Sequence, residues 1–584
     1  MPAGASLAQW VVRSRSLLTC LALVVAILGC TETRTTAGDD RSPAADAGPV
    51  DTGAVDAGAV DVGAADVGAA DDGAADVGTN DLLGEDAADV DVADAVTPGD
   101  VAPDLPPDVP SELPADDVLA WPDASDVLVD APSGAESVTL PPPQTIAAFD
   151  ALLDANDAPA LMTWLGTYDM PICDASTCLF VTRDDDATSL VVTGDFDAWE
   201  STVTMTETPL VSGVWWAKVA VSTAQTTVIE YKLRRDGNWD LDRTGRYVRF
   251  APLGPNSAIY PPGASRIAHL PDVASTELAN SRSLYVYLPA IYFTDPALHL
   301  PVLYMQDGLN VFTNPNAPYG SWDVETTADA LIPAGLAAPV IIVGIDTKAR
   351  LDEYTYAAIK LGLSKSTPKL PKYAAFLVGT VKPLIDATFR TQVGPESTAI
   401  AGSSLGGISS MWIAWKYSSV FGKVASFSGS YWIGDEETGP GLEPMRALIT
   451  QNADGLKPSA LRIYLDSGDT DFSGKSAYAA DAWVYTDWTR NALIAQGWDN
   501  RSEWDTDAAL ASPPMDLPPT TAIGSVPHLT WSAEPPGGIW ANWLGLQRNL
   551  CALVGPGHQH NEAAWKARFA AAYVYLFPGP KALP

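Results

Sequence analysis

The stretch Thr398-Ala-Ile-Ala-Gly-Ser-Ser-Leu-Gly-Gly-Ile408 decides how the second half of this chain folds. Its first four residues are apolar or β-branched and predict a short buried strand. A Gly-Ser-Ser-Leu-Gly turn follows, and the apolar residues from Ile408 onward predict a helix. A bare Gly-x-Ser-x-Gly match occurs by chance, but a strand before it and a helix after it are what a nucleophilic serine requires. The helix N-terminus there favours developing negative charge, so Ser404 is the candidate nucleophile.

Around this stretch, continuous apolar runs alternate with helical patterns from residue 275 to residue 584. This alternation predicts an α/β fold with a mainly parallel sheet that helices cover on both faces. The predicted strands are 284–288, 301–305, 339–344, 398–401, 424–427, 461–465 and 550–554. The clearest predicted helices are 373–389 and 563–577.

The composition is acidic but unevenly so. The chain has 584 residues and a formal net charge of −38. Residues 32–136 contain 27 acidic residues and two arginines, so this segment carries 25 of the 38 excess negative charges. With no basic stripe, nucleic acid is excluded as an expected partner.

Residues 1–30 predict an export signal. Arg13 and Arg15 precede an apolar run, residues 17–28, which is too short for a comfortable membrane span. The run ends Ile27-Leu-Gly-Cys30 and resembles a bacterial lipobox, which implies lipidation of Cys30. Thr31, rather than an aspartate, then implies sorting to the outer membrane or cell surface. The alternative is an ordinary secretory signal and a secreted protein.

Residues 31–140 are a low-complexity segment in which an aspartate recurs every five residues from Asp51 to Asp81. High net charge and few aromatic residues predict a disordered, extended tether. A calcium-binding role is disfavoured because the repeat lacks an ordered loop closed by a glutamate. No cysteine and histidine spacing resembles a zinc site. The serine chemistry considered below needs neither a metal nor an organic cofactor.

Residues 141–270 predict a second module. Helical spacing over residues 145–165 indicates a small lead-in helix, and short alternating strands predict an immunoglobulin-like β-sandwich. These strands are 179–182, 189–193, 213–219 and 227–233. In an exported protein Cys173 and Cys178 are close enough to form a short disulfide. The remaining residues, 271–584, form the predicted α/β domain.

A serine needs a base within hydrogen-bond reach and a group that orients that base. His558 and His560 both follow the last predicted strand, which fits the chain order serine, acid, histidine of α/β-hydrolases. The acid is expected after the strand 461–465, where an Asp-Ser-Gly-Asp-Thr-Asp run occupies residues 466–471. A calcium loop beginning at Asp469 is disfavoured because its closing position would be Ala480.

Several runs together resemble the putative-esterase (esterase D-like) family of α/β-hydrolases. That family includes enterochelin esterases, bacterial feruloyl and acetyl-xylan esterases, and mycolyltransferases. The matching runs are 303–312, 343–346 with 353–355, 381–391, 401–407, 426–430 and 560–565.

The resemblance implies particular roles. Ser404 would be the nucleophile, and a Gly-x-x-Asp turn from Gly468 points to Asp471 as the acid, with Asp469 in reserve. The histidine of the family precedes a tryptophan by five residues, so Trp565 selects His560 over His558. The oxyanion hole would use the backbone N–H groups of Leu309 and Leu405.

The second module also carries a resemblance. Residues 192–199, Met205 and residues 231–242 look like the early-set domains related to glycogen- and starch-binding modules. That likeness implies Trp199, Lys232 and Trp239 as carbohydrate-binding residues. The alternative is that the two tryptophans pack in the core or between modules.

One region departs from the family pattern. Residues 475–545 are rich in tryptophan and proline and are longer than the family leads us to expect. They are either a lid or binding wall, or a surface excursion with its own small core.

The sequence therefore predicts a surface-tethered serine esterase that acts on siderophore esters, acylated polysaccharide or small esters. The alternatives are an acyltransferase of the same fold and a non-catalytic glycan-binding surface protein. The expected partners are the ester substrate and a membrane reached through the lipid anchor.

Overall fold

The computed structural model describes residues 144–167, 169–221, 226–361, 364–434, 444–468, 481, 483–499, 546–555 and 558–582. All of them belong to one unit, Val129–Pro584. The predicted signal with Cys30, the predicted tether, Asp469, Asp471 and most of the tryptophan-rich region lie outside the described residues.

Two short helices open the described chain. Helix α1, Ile146–Asp154, begins after Thr145, whose hydroxyl accepts the Ala148 N–H at 3.1 Å. This hydroxyl satisfies one of the N–H groups that a helix start leaves without a partner. Helix α2 is Ala158–Thr167. The predicted lead-in helix is therefore two helices, which pack Phe149 and Trp164 against the strands that follow.

Ten short strands then form two antiparallel sheets, ordered β1-β2-β6-β5 and β4-β3-β7-β10-β9, with β8 paired to β7. The strands are β1 Ile172–Cys173, β2 Thr177–Arg183, β3 Leu190–Gly194, β4 Val203–Thr204, β5 Thr206–Glu207, β6 Val214–Ala220, β7 Ile229–Arg235, β8 Asn238–Asp240, β9 Val248–Ala251 and β10 Gly254–Ile259. Phe180, Val192, Trp215 and Tyr231 share one core between the sheets. Cys173 and Cys178 form a disulfide.

The larger part of the chain forms an eight-stranded mixed sheet in the order β11-β12-β14-β13-β17-β18-β19-β20. Its strands are β11 Arg266–Ser275, β12 Asn280–Leu288, β13 Val302–Met305, β14 Ile341–Ile345, β17 Thr398–Ser403, β18 Lys423–Phe427, β19 Arg462–Gly468 and β20 Leu550–Gly555. Six neighbouring strands of this sheet, β14-β13-β17-β18-β19-β20, pair in parallel, whereas β11 and β12 are antiparallel to their neighbours. All seven strands that the sequence predicted here are present.

Helices cover both faces of this sheet, as predicted. They are α3 Ala290–Thr294, α4 Gly308–Val311, α5 Val324–Ala334, α6 Arg350–Glu353, α7 Leu370–Phe376, α8 Lys382–Thr388, α9 Leu405–Lys416, α10 Pro444–Gln451, α11 Trp483–Ala495 and α12 Glu562–Leu576. A π-helical turn, Leu377–Val381, joins α7 to α8, and Lys360–Leu361 (β15) pairs with Ser364–Lys365 (β16). Successive residues of β17 face opposite cores: Ile400 packs with α9, and Ala399 with α12.

The first strand of the large sheet begins earlier than the predicted module boundary at residue 271. β11 starts at Arg266 and contains Pro271 beside a register shift between Leu270 and Val273. Proline is tolerated at such a bulge on an edge strand, and there it obscures the strand pattern in the sequence. The His269 N–H donates to Arg246 O at 2.8 Å, so this strand also joins the two modules.

A buried ion pair ties β12 to α6. The Arg282 guanidinium donates to both Glu353 oxygens, at 2.9 and 3.0 Å, and both side chains are 1% exposed. Burial alone raises the pKa of Glu353, but the bonds and charge of Arg282 outweigh burial and lower it. Neither charge reaches water, so protein groups replace it: Thr347 also donates to Glu353, and Arg282 also donates to Asn280 Oδ1, each at 2.8 Å.

We predict that Arg282→Met lowers the free energy of unfolding by about 3–5 kcal/mol, because it leaves the Glu353 charge buried and unpaired. Denaturant unfolding of the wild type and the variant measures this loss. The matched control is Arg282→Met combined with Glu353→Leu, which should recover most of the loss. A single variant within about 1 kcal/mol of the wild type would contradict the prediction.

Candidate active site

The predicted Ser404 lies where β17 ends and α9 begins, on a backbone with φ 57° and ψ −123°. This left-handed conformation is strained for a residue with a side chain and persists only where its surroundings hold it. The Ser404 N–H donates to Phe427 O at 2.9 Å, and Ser404 O accepts the Ser430 N–H at 3.0 Å. Both partners belong to the end of β18 and the residues after it. The neighbouring strand therefore fixes the turn through both the N–H and the carbonyl of Ser404.

The predicted glycines make this turn possible. A Cβ on Gly402 would lie 2.6 Å from Gly406 O, and one on Gly407 would lie 2.8 Å from Ser426 Oγ. Strand and helix therefore approach one another more closely than side chains would allow. The Ser404 Oγ lies 3.4 Å from Ser430 Oγ.

Four polar residues follow the carboxyl ends of four adjacent parallel strands. Ser404 follows β17, Ser428 follows β18, Asp481 lies beyond β19, and His560 lies beyond β20. Because these ends meet at one edge of the sheet, residues distant in sequence come together there. Ser404 and His560 line the same cavity, which has a volume of about 590 Å³.

His560 is held by a buried carboxylate. Its Nδ1 lies 2.5 Å from Asp481 Oδ1, and the Asp481 side chain is fully buried whereas that of His560 is 28% exposed. In the neutral imidazole this pairing assigns the proton to Nδ1 and leaves Nε2 as the acceptor. The His560 ring also lies edge-on to Trp565, with the ring centroids 5.0 Å apart.

Asp481 is a carboxylate that the sequence prediction did not include. The predicted Asp471 and its reserve Asp469 lie outside the described residues, and the His560 Nδ1 contact is made by an aspartate ten residues further on. Gly468, the glycine from which the acid was predicted, nevertheless takes part: its N–H donates to Asp481 Oδ2 at 2.5 Å. A Cβ on Gly468 would lie 2.1 Å from His558 O, so only glycine fits there.

The surroundings keep Asp481 ionised. Burial raises the pKa of its carboxyl, but the hydrogen bond and charge of His560, the hydrogen bond of Ser428 and the charge of Arg568 together bring the pKa below its ordinary value. The Ser428 Oγ donates to Asp481 Oδ2, and Arg568 Nη2 lies 3.9 Å from that oxygen. The carboxylate can therefore balance a positive charge on His560.

A second buried carboxylate lies behind the first. Asp466 Oδ2 accepts the Tyr464 hydroxyl at 2.9 Å and lies 3.0 Å from Arg568 Nε, with which it forms an ion pair. Burial raises the pKa of Asp466 despite this pair. Burial also lowers the pKa of Arg568, but the two carboxylates outweigh it and raise that pKa.

The predicted oxyanion donors lie at helix starts. Leu405 is the first residue of α9, and Leu309 is the second residue of α4, where backbone N–H groups have no partner within the helix. Leu309 lines the cavity that contains Ser404. A Cβ on Gly308 would lie 2.7 Å from the backbone of β14, so α4 packs directly against the sheet.

The cavity wall combines apolar side chains with carboxylates. Arg350 donates to both oxygens of Asp307 at 2.8 and 3.0 Å, so its charge is already paired. Burial raises the pKa of Glu562 and of Asp346, which also line the cavity. Apolar contact is offered by Leu309, Val311, Pro318, Tyr319, Trp322 and Trp565.

His558, the alternative to His560, faces another way. Its Nδ1 lies 3.1 Å from Arg568 Nη1, whereas the Nδ1 of His560 contacts Asp481. The α12 helix that follows is capped by Asn561, whose side chain accepts the Ala564 N–H at 3.0 Å. This cap fixes the chain directly after His560.

The predicted carbohydrate-binding tryptophans come together. The Trp199 and Trp239 ring centroids are 6.1 Å apart, and Trp239 is 51% exposed. The Arg234 guanidinium stacks on Trp239 at 5.2 Å. Lys232 lies two residues before Arg234 on β7 and therefore points to the same face of that strand.

Two kinds of feature are absent from the residues that the structure describes. No group of three or more histidine, cysteine, aspartate or glutamate side chains is arranged there to hold a metal ion. None of the helices in these ranges is both long enough and apolar enough to span a bilayer.

Comparison with known proteins gives matches to esterases. A family model described as putative esterase matches residues 275–503. The uncharacterized protein YbbA of Bacillus subtilis (strain 168) is 30% identical over 197 residues, which cover 33% of this chain and 70% of that protein. The iron(III) enterobactin esterase of Dickeya dadantii (strain 3937) is 25% identical over 299 residues, which cover 48% of this chain but only 60% of that enzyme.

Solved structures give weaker matches. A ferulic acid esterase is 17% identical with a TM-score of 0.36, and the match covers 54% of this chain and 98% of that one. The enterobactin esterase of Shigella flexneri is 13% identical with a TM-score of 0.33, and the match covers 71% of this chain and 98% of that one.

Proposed function

The chain belongs to the putative esterase family, and on that premise we propose that it hydrolyses carboxylic esters through a serine acyl-enzyme. Ser404 is the nucleophile, His560 is the general base and acid, and Asp481 is the carboxylate that orients His560. The observation that carries this proposal is the 2.5 Å contact between Asp481 and His560 beside the cavity that Ser404 lines.

Each step follows from the arrangement of these groups. The Ser404 Oγ attacks the ester carbonyl while His560 Nε2 takes its proton, and Asp481 balances the imidazolium. The backbone N–H groups of Leu309 and Leu405 stabilise the negative oxygen of the tetrahedral intermediate. His560 then protonates the departing alcohol, which leaves an ester between Ser404 and the acyl group. A water molecule, deprotonated by His560, releases the acid and restores Ser404.

We assign the acid role to Asp481 in place of Asp471. The geometric requirement is a carboxylate on His560 Nδ1, because that contact holds the ring so that Nε2 faces the serine. Asp481, two residues before α11, meets this requirement, whereas Asp471 was inferred from the spacing of a family turn. The burial of Asp481 and its contact with Gly468 at the end of β19 support the same assignment.

We predict that Ser404→Ala, His560→Ala and Asp481→Asn each lower kcat for p-nitrophenyl acetate by about 1,000-fold or more, because each removes one member of the triad. Asp471→Asn, Asp469→Asn and His558→Ala are the matched controls and should retain wild-type kcat within about threefold. Unchanged hydrolysis by Ser404→Ala would overturn the serine mechanism. Loss of activity in Asp471→Asn but not in Asp481→Asn would return the acid role to Asp471.

Siderophore esters, acylated polysaccharides and small esters are the proposed substrates, and the cavity wall favours uncharged ones. Among the described residues it carries three carboxylates, Asp307, Asp346 and Glu562, against one guanidinium, Arg350. Arg350 is paired with Asp307, and Lys348 Nζ lies 3.8 Å from Asp346 Oδ2, so the excess negative charge of the wall rests on Glu562. An anionic acyl group would be repelled there, and low dielectric strengthens the repulsion.

We predict that kcat/KM for a neutral acetyl ester exceeds that for the matching succinyl half-ester by about 10-fold at low salt, because the wall repels the free carboxylate. Glu562→Gln should narrow this ratio, and Asp185→Asn, an exposed carboxylate on the other module, should leave it unchanged. Steady-state rates for both esters at two ionic strengths measure this ratio of kcat/KM. Equal kcat/KM for both esters, or a preference for the half-ester, would contradict the prediction.

A second proposed activity is glycan binding by the N-terminal module. The paired Trp199 and Trp239 rings, with Arg234 stacked beside them and Lys232 on the same strand face, supply aromatic surface and donors. Such a surface suits the apolar face and the hydroxyls of a sugar. The exposure of Trp239 argues against the alternative that it packs in a core.

We predict that the Ser404→Ala protein, which cannot cleave the ligand, is retarded in affinity electrophoresis through glycogen or soluble starch. Adding Trp199→Ala and Trp239→Ala should abolish the retardation, because the stacking surface is lost. Adding Tyr319→Ala, which removes an exposed aromatic ring of the ester cavity, is the control and should preserve it. If the Ser404→Ala protein with both tryptophans present is not retarded, the proposal of glycan binding is wrong.

We further propose that the protein is exported and lipid-anchored to the bacterial envelope through Cys30. The support is the basic, apolar and Leu-Gly-Cys pattern of residues 13–30. The long acidic segment after it would hold the ester cavity away from the membrane surface.

A further inference from the structure

Ser428 is a buried serine at the meeting point of the groups behind His560. It follows β18 with a positive φ of 46°, and its N–H donates to Asp466 O at 2.9 Å. Its side chain is 2% exposed and touches neither the cavity nor Ser404 in the part of the chain that the structure describes. Nothing in the proposed reaction steps uses it.

The hydroxyl of Ser428 has every hydrogen-bonding position filled. Its Oγ accepts the indole N–H of Trp565 and the Nη2–H of Arg568, both at 2.9 Å. Neither partner can accept a hydrogen bond, since an indole N–H and a guanidinium only donate. A hydroxyl has two acceptor positions and one proton, so the proton of Ser428 is directed to its third neighbour, Asp481 Oδ2.

This direction matters because it fixes one oxygen of the acid. Oδ2 receives the Ser428 hydroxyl and the Gly468 N–H, and Oδ1 is left for His560 Nδ1. Arg568 alone would hold the carboxylate less well, because its nearest approach to Oδ2 is 3.9 Å. Arg568 therefore acts on Asp481 mainly through the serine that it contacts at 2.9 Å.

We propose that Ser428 is a positioning residue for ester hydrolysis: its hydroxyl, fixed by Trp565 and Arg568, holds the Asp481 carboxylate in the rotation that presents Oδ1 to His560. The inference rests on the proposed triad. It adds that the carboxylate is aimed by a donor from the adjacent strand. Without that donor, Asp481 Oδ2 keeps the Gly468 N–H, but the carboxylate is held less firmly against rotation about its Cβ–Cγ bond. The His560 ring then loses part of its orientation toward Ser404.

The experiment compares Ser428→Ala with Ser426→Ala in the full chain. Ser426 is fully buried on β18, two residues before Ser428, and its hydroxyl makes no hydrogen bond to Asp481, Trp565 or Arg568 within the described residues. Ser428→Ala should lower kcat for p-nitrophenyl acetate by about 10- to 100-fold with KM within about twofold, because one hydrogen bond to a charged group is lost. Ser426→Ala should stay within about threefold of wild-type kcat.

A double-mutant cycle separates positioning from a general structural effect. If Ser428 acts through Asp481, Ser428→Ala should have little further effect in the Asp481→Asn background, less than about twofold on kcat. Trp565→Phe is the second variant and serves if Ser428→Ala does not fold. This variant keeps an aromatic side chain but removes the indole N–H that donates to Ser428 Oγ. The Ser428 hydroxyl is then no longer fixed toward Asp481, and kcat should fall about three- to tenfold.

The outcomes are distinct. Loss of kcat in Ser428→Ala that vanishes in the Asp481→Asn background supports the proposal. A kcat within threefold of the Ser426→Ala control, or an equal loss in both backgrounds, overturns it. If Ser428→Ala does not fold, wild-type kcat in a folded Trp565→Phe protein overturns it as well. None of these results would remove the proposed esterase activity, which fails only if Ser404→Ala hydrolyses the ester normally.

Discussion

The site depends on keeping one carboxylate ionised where water cannot reach it. Asp481 is fully buried, and an unpaired charge in such a place would cost several kcal/mol. The chain meets this constraint with four groups: His560 on one oxygen, Ser428 and Gly468 on the other, and Arg568 nearby. Because those groups come from four different elements, satisfying the carboxylate also fixes how the ends of the strands are arranged.

The same constraint explains the second acidic residue. Asp466 and Asp481 share the charge of Arg568, so two buried carboxylates face one guanidinium. That excess of negative charge lies behind the imidazole, where the proposed mechanism generates a positive charge. The strained backbone of Ser404 is held by the same segment. Phe427 and Ser430 lie on either side of Ser428 in the sequence, and both form hydrogen bonds with the Ser404 backbone. The end of β18 and the residues after it therefore support both Ser404 and Asp481.

Local patterns were sufficient to predict much of this fold. The strands and glycines around Ser404 are encoded within a few residues, and His560 is marked by its position after an apolar strand and before a capped helix. β11 was missed because Pro271 and a register shift break its alternation. Asp481 was missed for a different reason: the length of chain between a strand end and the acid is set by the fold and not by any local preference. The contacts of Ser428 with Trp565 and Arg568 join positions 137 and 140 residues apart, which no short motif records.

The central claim is that Asp481 is the carboxylate bound to His560 Nδ1. Proton NMR tests it directly, because a proton held in a short hydrogen bond between an imidazole and a buried carboxylate resonates far downfield of the amide protons. The account predicts such a resonance in the wild-type protein and in Asp471→Asn, and its loss in Asp481→Asn and His560→Ala. A resonance that survives Asp481→Asn and disappears in Asp471→Asn would contradict the account.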